Sequence, residues 1–318
     1  MRPGNRIALS CLGLAISAAV TASAQRPWDQ TNIASSHKLN VPGGVIQVDF
    51  VPGSFDLGDD AILNHVRMAA NAVVTYYGRF PVARDRVLVV PVDGRAGVLQ
   101  GTTWGDVGGW PAFTRIRIGQ HTTADDLKDD WTMTHELTHG AFPSLPDDQH
   151  WMEEGLATYV EPIARVQAGE LTAAQIWHDM LRDMGKGEPH DGDQGVDHTH
   201  TWGRTYWGGA MFCLVADVSI RRETKNKKGL QDALRAVVAA GLTIDRDRDI
   251  SAALAIGDKA TGTHVLTQLY ADWKDKPVTV DLDKMWRDLG VSFDGDAVRF
   301  DDKAPLAAVR KAITTKRS

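Results

Sequence analysis

Residues 134–139 read Thr-His-Glu-Leu-Thr-His, and this hexapeptide restricts the chain more than any other stretch of it. On an α-helix, positions four apart differ by about 40° around the axis, so His135 and His139 project from one face toward one point. Two imidazoles placed in this way suit two of the four tetrahedral positions of a Zn²⁺ ion. Glu136, beside the first of them, is badly placed to bind the ion but well placed to take a proton from water next to it. Multiplying this chain's own His and Glu frequencies over its length gives about 0.01 chance occurrences of H-E-x-x-H. The competing reading is an ordinary helix whose histidines cap or pack.

Pro143 and Pro146 end that helix, and a second helix follows with Trp151-Met152-Glu153-Glu154-Gly155-Leu156-Ala157-Thr158-Tyr159. A helix-turn-helix of this length can fold back so that a glutamate faces the two histidines. The combined pattern resembles the gluzincin metallopeptidases, in particular the peptidase MA-like, aminopeptidase N-related superfamily. There, H-E-x-x-H is followed by an N-E-G-x-x-x-Y-like segment whose glutamate is the third zinc ligand. Glu154, followed by Gly155 and then by Tyr159, occupies the matching position, and Glu153 is the competing assignment. The connection from His139 to Glu154 is shorter than in the commonest aminopeptidase pattern. Two histidines and one carboxylate leave a fourth position for water, the arrangement of a catalytic rather than a structural zinc.

The resemblance implies a zincin-like α+β fold of the thermolysin/gluzincin type, one Zn²⁺ per chain, and a peptide or protein substrate. Tyr206, in Tyr206-Trp207-Gly208-Gly209, resembles the Y-x-x-G segment whose tyrosine supports the oxyanion in these families. Aminopeptidases of the group anchor the substrate's free amine with a glutamate upstream of the zinc helix. Here no glutamate precedes Glu136, and the corresponding Gly105-Asp106-Val107-Gly108-Gly109 offers only Asp106. An endopeptidase is therefore favoured over an aminopeptidase. The reading from a different class is a secreted zinc-containing module that binds peptide or glycan without turnover. The strand Ala112 to Ile118 is the expected platform along which substrate backbone lies. Thr158 and Glu161, on the same face as Glu154, are candidates to orient a metal-binding imidazole, against a solvated helix face. Asp130 is expected on the exposed side of the first helix. The segment from His190 to His200 reads as a mobile polar loop near the cleft rather than a calcium site.

Periodicity supplies the architecture. Val45 to Val51 reads as a strand, Asp59 to Tyr77 as an amphipathic helix stopped at Gly78, and Arg86 to Val92 as a buried strand. The glycine-rich stretch Gly94 to Gly109 reads as loop. From Thr123 on the pattern is helical: Asp125 to Ala141, Gln149 to Ala168, Ala173 to Met184, Arg204 to Arg222, Leu230 to Ala240, Thr263 to Lys274 and Pro305 to Lys316. The expected organisation is an α+β part over 25–122, carrying the substrate edge strand, and a helical zinc-binding part over 123–318.

Arg2 and Arg6 precede an apolar run, Ile7 to Val20, and the small-x-small Ala22-Ser23-Ala24, so residues 1–24 read as a signal peptide. The protein is therefore expected to be exported, to the periplasm or outside the cell, with no stable membrane insertion after cleavage. Of the two cysteines, Cys11 lies in the segment removed, so Cys213 has no partner within the mature chain. A net charge of −6 with mixed signs argues against nucleic acid as a partner.

Overall fold

The computed structural model describes residues 32–316, and the expected signal peptide lies outside them. Strands β1 (Ser35–Val41), β2 (Gly44–Phe50), β3 (Arg84–Val92), β4 (Val98–Val107) and β5 (Trp110–Gly119) form one sheet in the order β1-β2-β3-β5-β4. β2, β3 and β5 run parallel, whereas β1 and β4 run antiparallel at its two edges. The central strands are buried through Ile46, Val48, Val87, Val89, Phe113 and Ile116, as expected for strands covered on both faces.

Two expectations about this sheet need correction. Gly94 to Gly109, read as loop, contains the ten-residue strand β4. The substrate platform assigned to Ala112–Ile118 lies on β5, which is paired on both sides, so the edge on that side of the sheet is β4. The reason is shared: an edge strand with one half-exposed face lacks the apolar run that marks a buried strand, and its glycines mimic a loop.

Helix α1 (Asp59–Tyr77) crosses from β2 to β3 and buries the expected stripe Ile62, Val66, Ala69, Val73 and Tyr76. The single helix expected over Asp125 to Ala141 is two, α2 (Ala124–Asp129) and α3 (Thr132–His139). Asp130 makes the break. It is extended, at ψ 130°, and its carboxylate accepts from the backbone N–H groups of Thr132 (2.9 Å) and Met133 (3.1 Å). It also binds His65 Nε2 of α1 at 2.8 Å, so it is buried rather than exposed as expected. The helix carrying both histidines thus begins afresh, capped and tied to α1.

Helices α4 (His150–Ala168), α5 (Ala173–Asp183), α6 (Gly209–Glu223), α7 (Leu230–Ala239), α8 (Ile250–Thr261), α9 (Val265–Trp273), α10 (Leu282–Leu289) and α11 (Ala307–Thr314) follow. α8 and α10 escaped the sequence reading, as did the hairpin of β6 (Val291–Asp294) and β7 (Ala297–Phe300). Before α6, Gly203–Gly208 forms a turn of π-helix. One hydrophobic cluster runs through both the sheet and the helices, and residues from Asn32 onward form one compact unit.

Candidate metal centre

The α3 face presents His135 and His139 with ring centroids 4.9 Å apart, and donor atoms of His135, Glu136 and His139 all lie within 4.8 Å of one another. The turn after α3 folds α4 back across it, which brings Glu154 onto the same point. Its Oε2 is 3.0 Å from His135 Nε2 and 3.8 Å from His139 Nε2. The other carboxylate oxygen, Oε1, is 3.3 Å from His150 Nε2, and His150 Nδ1 binds Glu153 Oε2 at 2.8 Å. Glu153 also accepts from Leu145 N–H (3.2 Å), so it faces the turn and His150 rather than the α3 histidines.

Glu136, though within the same 4.8 Å group, is also tied to the edge strand. Its Oε2 accepts from Thr103 Oγ1 of β4 at 2.7 Å, and the same hydroxyl is 3.1 Å from the Glu136 carbonyl. Gly101, two residues earlier on β4, lies so close that a Cβ there would sit 2.4 Å from Glu136 Cγ. The edge strand therefore holds the carboxylate end of the Glu136 side chain, while Glu154 engages the imidazoles.

Tyr206 comes to the same place from the π-turn. Its ring stacks on that of His135 at 6.1 Å, with an interplanar angle of 19°. Close approach of α4 and α6 sets this position, because a Cβ on Gly155 would lie 2.2 Å from Gly209 Cα. One glycine follows Glu154 directly and the other comes three residues after Tyr206, so the crossing places both side chains over α3.

The electrostatics follow from burial and contact. Burial raises the pKa of Glu136, opposed by the charge of His139 and the Thr103 hydrogen bond. Burial also opposes the charge on Glu154, but His139, then hydrogen bonds to His135 and His150, hold its carboxyl far below the usual range. Hydrogen bonds to Glu153 and then Glu154 push His150 up to about 10. Burial, then the charge and hydrogen bonding of Glu154, raise the Tyr206 phenol.

A donor set of two imidazoles and one carboxylate around a common point matches a zinc site of the open, catalytic kind. The expected imidazole orienters do not take that role. Glu161 is bound to Arg165 at 2.9 Å, and the buried His135 Nδ1 has no hydrogen-bond partner among the described residues. Within the 190–200 segment the chain is half exposed, but Gly195 to Asp197 and Thr199 are buried. Buried Asp197 accepts from Trp151 Nε1 at 2.7 Å and from the Tyr270 hydroxyl at 2.7 Å, which fixes the start of α4. Asp106 is exposed near the end of β4, at φ 51°, just before the Gly108-Gly109 turn into β5.

Sequence reasoning missed Thr103, Gly101 and His150. His150 was open to inference, being four residues before Glu154 on one helix face. Thr103 and Gly101 reach the site only through the fold.

No protein-family model and no curated protein matches this chain. Solved structures do. An aminopeptidase N family protein from Idiomarina loihiensis superposes with a TM-score of 0.57 at 13% identity, over 81% of this chain and 49% of that one. The M1 zinc metallopeptidase from Deinococcus radiodurans superposes with a TM-score of 0.51 at 15% identity, over 78% and 53%. A variant of that metallopeptidase bound to a Tyr-Ser-Ala substrate gives 0.50 at 15% identity. The chain spans about half the length of these structures. Its fold is gluzincin-like, an α+β fold resembling M1 peptidase domains.

Proposed function

We propose that this protein is a zinc-dependent metallopeptidase, exported from the cell, that hydrolyses peptide bonds. The observation that carries the reading is the division of labour between the two glutamates: Glu154 lies between the α3 imidazoles, while Glu136 is tied to the edge strand beside them. His135, His139 and Glu154 would hold the ion. Zinc bound there supplies Lewis acidity toward water and the scissile carbonyl.

Glu136 takes the proton of the attacking water and hands it to the leaving amine. Burial raises its pKa against the charge of His139 and the Thr103 hydrogen bond, which makes it a better proton acceptor than an ordinary carboxylate. Tyr206 donates its phenolic hydrogen to the developing oxyanion. Substrate backbone pairs along the free edge of β4, where Gly101 and Thr103 lie next to Glu136. Endopeptidase action is favoured over aminopeptidase action, since Asp106, the one acid in the strand segment that anchors an amine in aminopeptidases, is exposed near the end of β4.

The test is zinc content and cleavage of a peptide library, measured on wild type, Glu136→Gln, Glu153→Ala, Glu154→Ala and Tyr206→Phe. The expected pattern is about one zinc per chain, kept in Glu136→Gln and Glu153→Ala and lost in Glu154→Ala. Cleavage should fall on the order of 10²–10⁴-fold in Glu136→Gln. Tyr206→Phe should lower kcat more than it changes KM. A binding module without turnover would be indifferent to Glu136→Gln, and wild type that takes up no zinc when supplied with it ends the reading.

A further inference from the structure

We propose that the cavity next to the α3 histidines is a specificity pocket for bulky apolar side chains, so that preferred substrates carry an aromatic residue beside the bond cleaved. This rests on the peptidase reading above. The cavity measures about 800 Å³ and is lined by His135 and Tyr206 of the candidate site. It runs between the second half of α4 and helix α5 to Ala297 and Val298 of the C-terminal hairpin. A volume of this size accommodates a drug-sized ligand, so it holds a large side chain together with part of its neighbour.

Aromatic rings line the way in. Trp202 stacks on Tyr206 at 5.7 Å and 25°, Tyr206 stacks on His135, and Trp131 meets His135 edge-on at 5.2 Å. Trp131 and Trp202 are 52% and 60% exposed, more than any other large apolar side chain among the described residues. Two tryptophans this exposed at one cavity mouth mark a surface that a ligand covers. Leu171, Ile176 and Val298 add further apolar wall.

The cations lining the cavity, Arg165, Arg182 and Lys186, are each paired with a carboxylate, and the carboxylates of Asp129 and Asp296 also line it. Arg182 binds Asp179 at 2.9 Å and Asp183 at 2.6 Å, Lys186 binds Asp183 at 2.8 Å, and Arg165 binds Glu161 at 2.9 Å. Lys186 also sits 6.0 Å and 5.9 Å from the Trp202 and Trp207 rings, which holds those rings in place. These cations are therefore engaged, and the apolar walls supply the selectivity. An aromatic side chain gains both by leaving water and by packing offset or edge-on against the tryptophans.

The experiment uses the zinc-loaded protein and a matched fluorogenic peptide series with Phe, Trp, Leu, Ala, Lys or Glu on either side of the scissile bond. The expected result is a kcat/KM at least about tenfold higher for Phe or Trp than for Ala, Lys or Glu at one of the two positions. Ala297→Trp and Val298→Trp, at exposed and half-buried sites that tolerate bulk, should each lower the Phe-to-Ala ratio at least about fivefold by filling the cavity. A flat profile, a preference for Lys or Glu, or an unchanged ratio in both variants overturns the proposal. If no peptide is cleaved, the peptidase reading fails, and calorimetric titration decides the pocket alone. Binding of N-acetyl-phenylalanine amide over N-acetyl-alanine amide, weakened in Ala297→Trp, supports it, and no difference between the two amides overturns it.

Discussion

Gly155 and Gly209 touch: a Cβ added to the first would lie 2.2 Å from the Cα of the second, and one added to the second would lie 2.7 Å from the Cα of the first. Helices α4 and α6 can cross this closely only where neither has a side chain. The crossing carries Glu154 and Tyr206 with it, one residue and three residues away. Gly209→Ala is expected to cost about 1–3 kcal/mol of stability. It should also lower zinc affinity, because the Glu154 backbone must shift. Thermal unfolding with and without zinc checks both, and an unchanged midpoint in each condition refutes the crossing as the device that sets the site.

His150 contacts the Glu154 oxygen that faces away from the α3 histidines. It thereby decides which oxygen points at them. Removing a partner of this kind from a metal ligand weakens binding on the order of 10–100-fold. His150→Ala should do so while leaving the stoichiometry near one zinc per chain, as measured by competition with a chelator. Equal zinc affinity in wild type and variant would mean that Glu154 is oriented by its helix alone.

Thr103→Val removes the hydroxyl that holds Glu136 Oε2 at 2.7 Å but touches none of the three proposed metal ligands. A hydrogen bond to a charged group is worth about 1.5–3 kcal/mol, so kcat/KM should fall about 10–100-fold with zinc content unchanged. Gly101→Ala should give a similar loss by steric displacement of the same carboxylate. Peptide hydrolysis read beside metal analysis separates these variants from a metal-binding defect.

Asp85 lies on β3, 2% exposed, with Oδ1 lacking a hydrogen-bond partner. Burial pushes its pKa up to about 7, against a backbone hydrogen bond from Arg86 that lowers it. The folded state thus holds a proton that the unfolded chain releases near pH 4. Its contribution to stability is fully present below that pH and is lost as pH rises toward 7, by about 2–4 kcal/mol. Asp85→Asn should flatten stability between pH 4 and 7 and raise it at pH 8, as read by urea unfolding across that range. A slope identical to wild type would show that Asp85 is ionised in the fold.

The sequence by itself determined whatever depends on neighbours along the chain. The 3.6-residue period of Ile62, Val66, Ala69, Val73 and Tyr76 places α1, and the four-residue spacing of His135 and His139 places two imidazoles on one face. The Glu154-Gly155 pair and the Tyr206-Trp207-Gly208-Gly209 run carry their own chemistry in order. Only the tertiary structure decided the rest, since it turns on residues far apart in sequence. β4 is a strand because β5 pairs with it, and nothing in its own glycines and threonines says so. Asp130 is buried because His65, on another helix, binds it. Thr103 meets Glu136 across 33 residues of chain. The cavity joins α4, α5, the π-turn and a C-terminal hairpin whose Val298 lies about a hundred residues beyond Trp202. Local periodicity reports which face of an element is apolar, but the partner that covers it, and the space left between partners, exist only after the elements have packed.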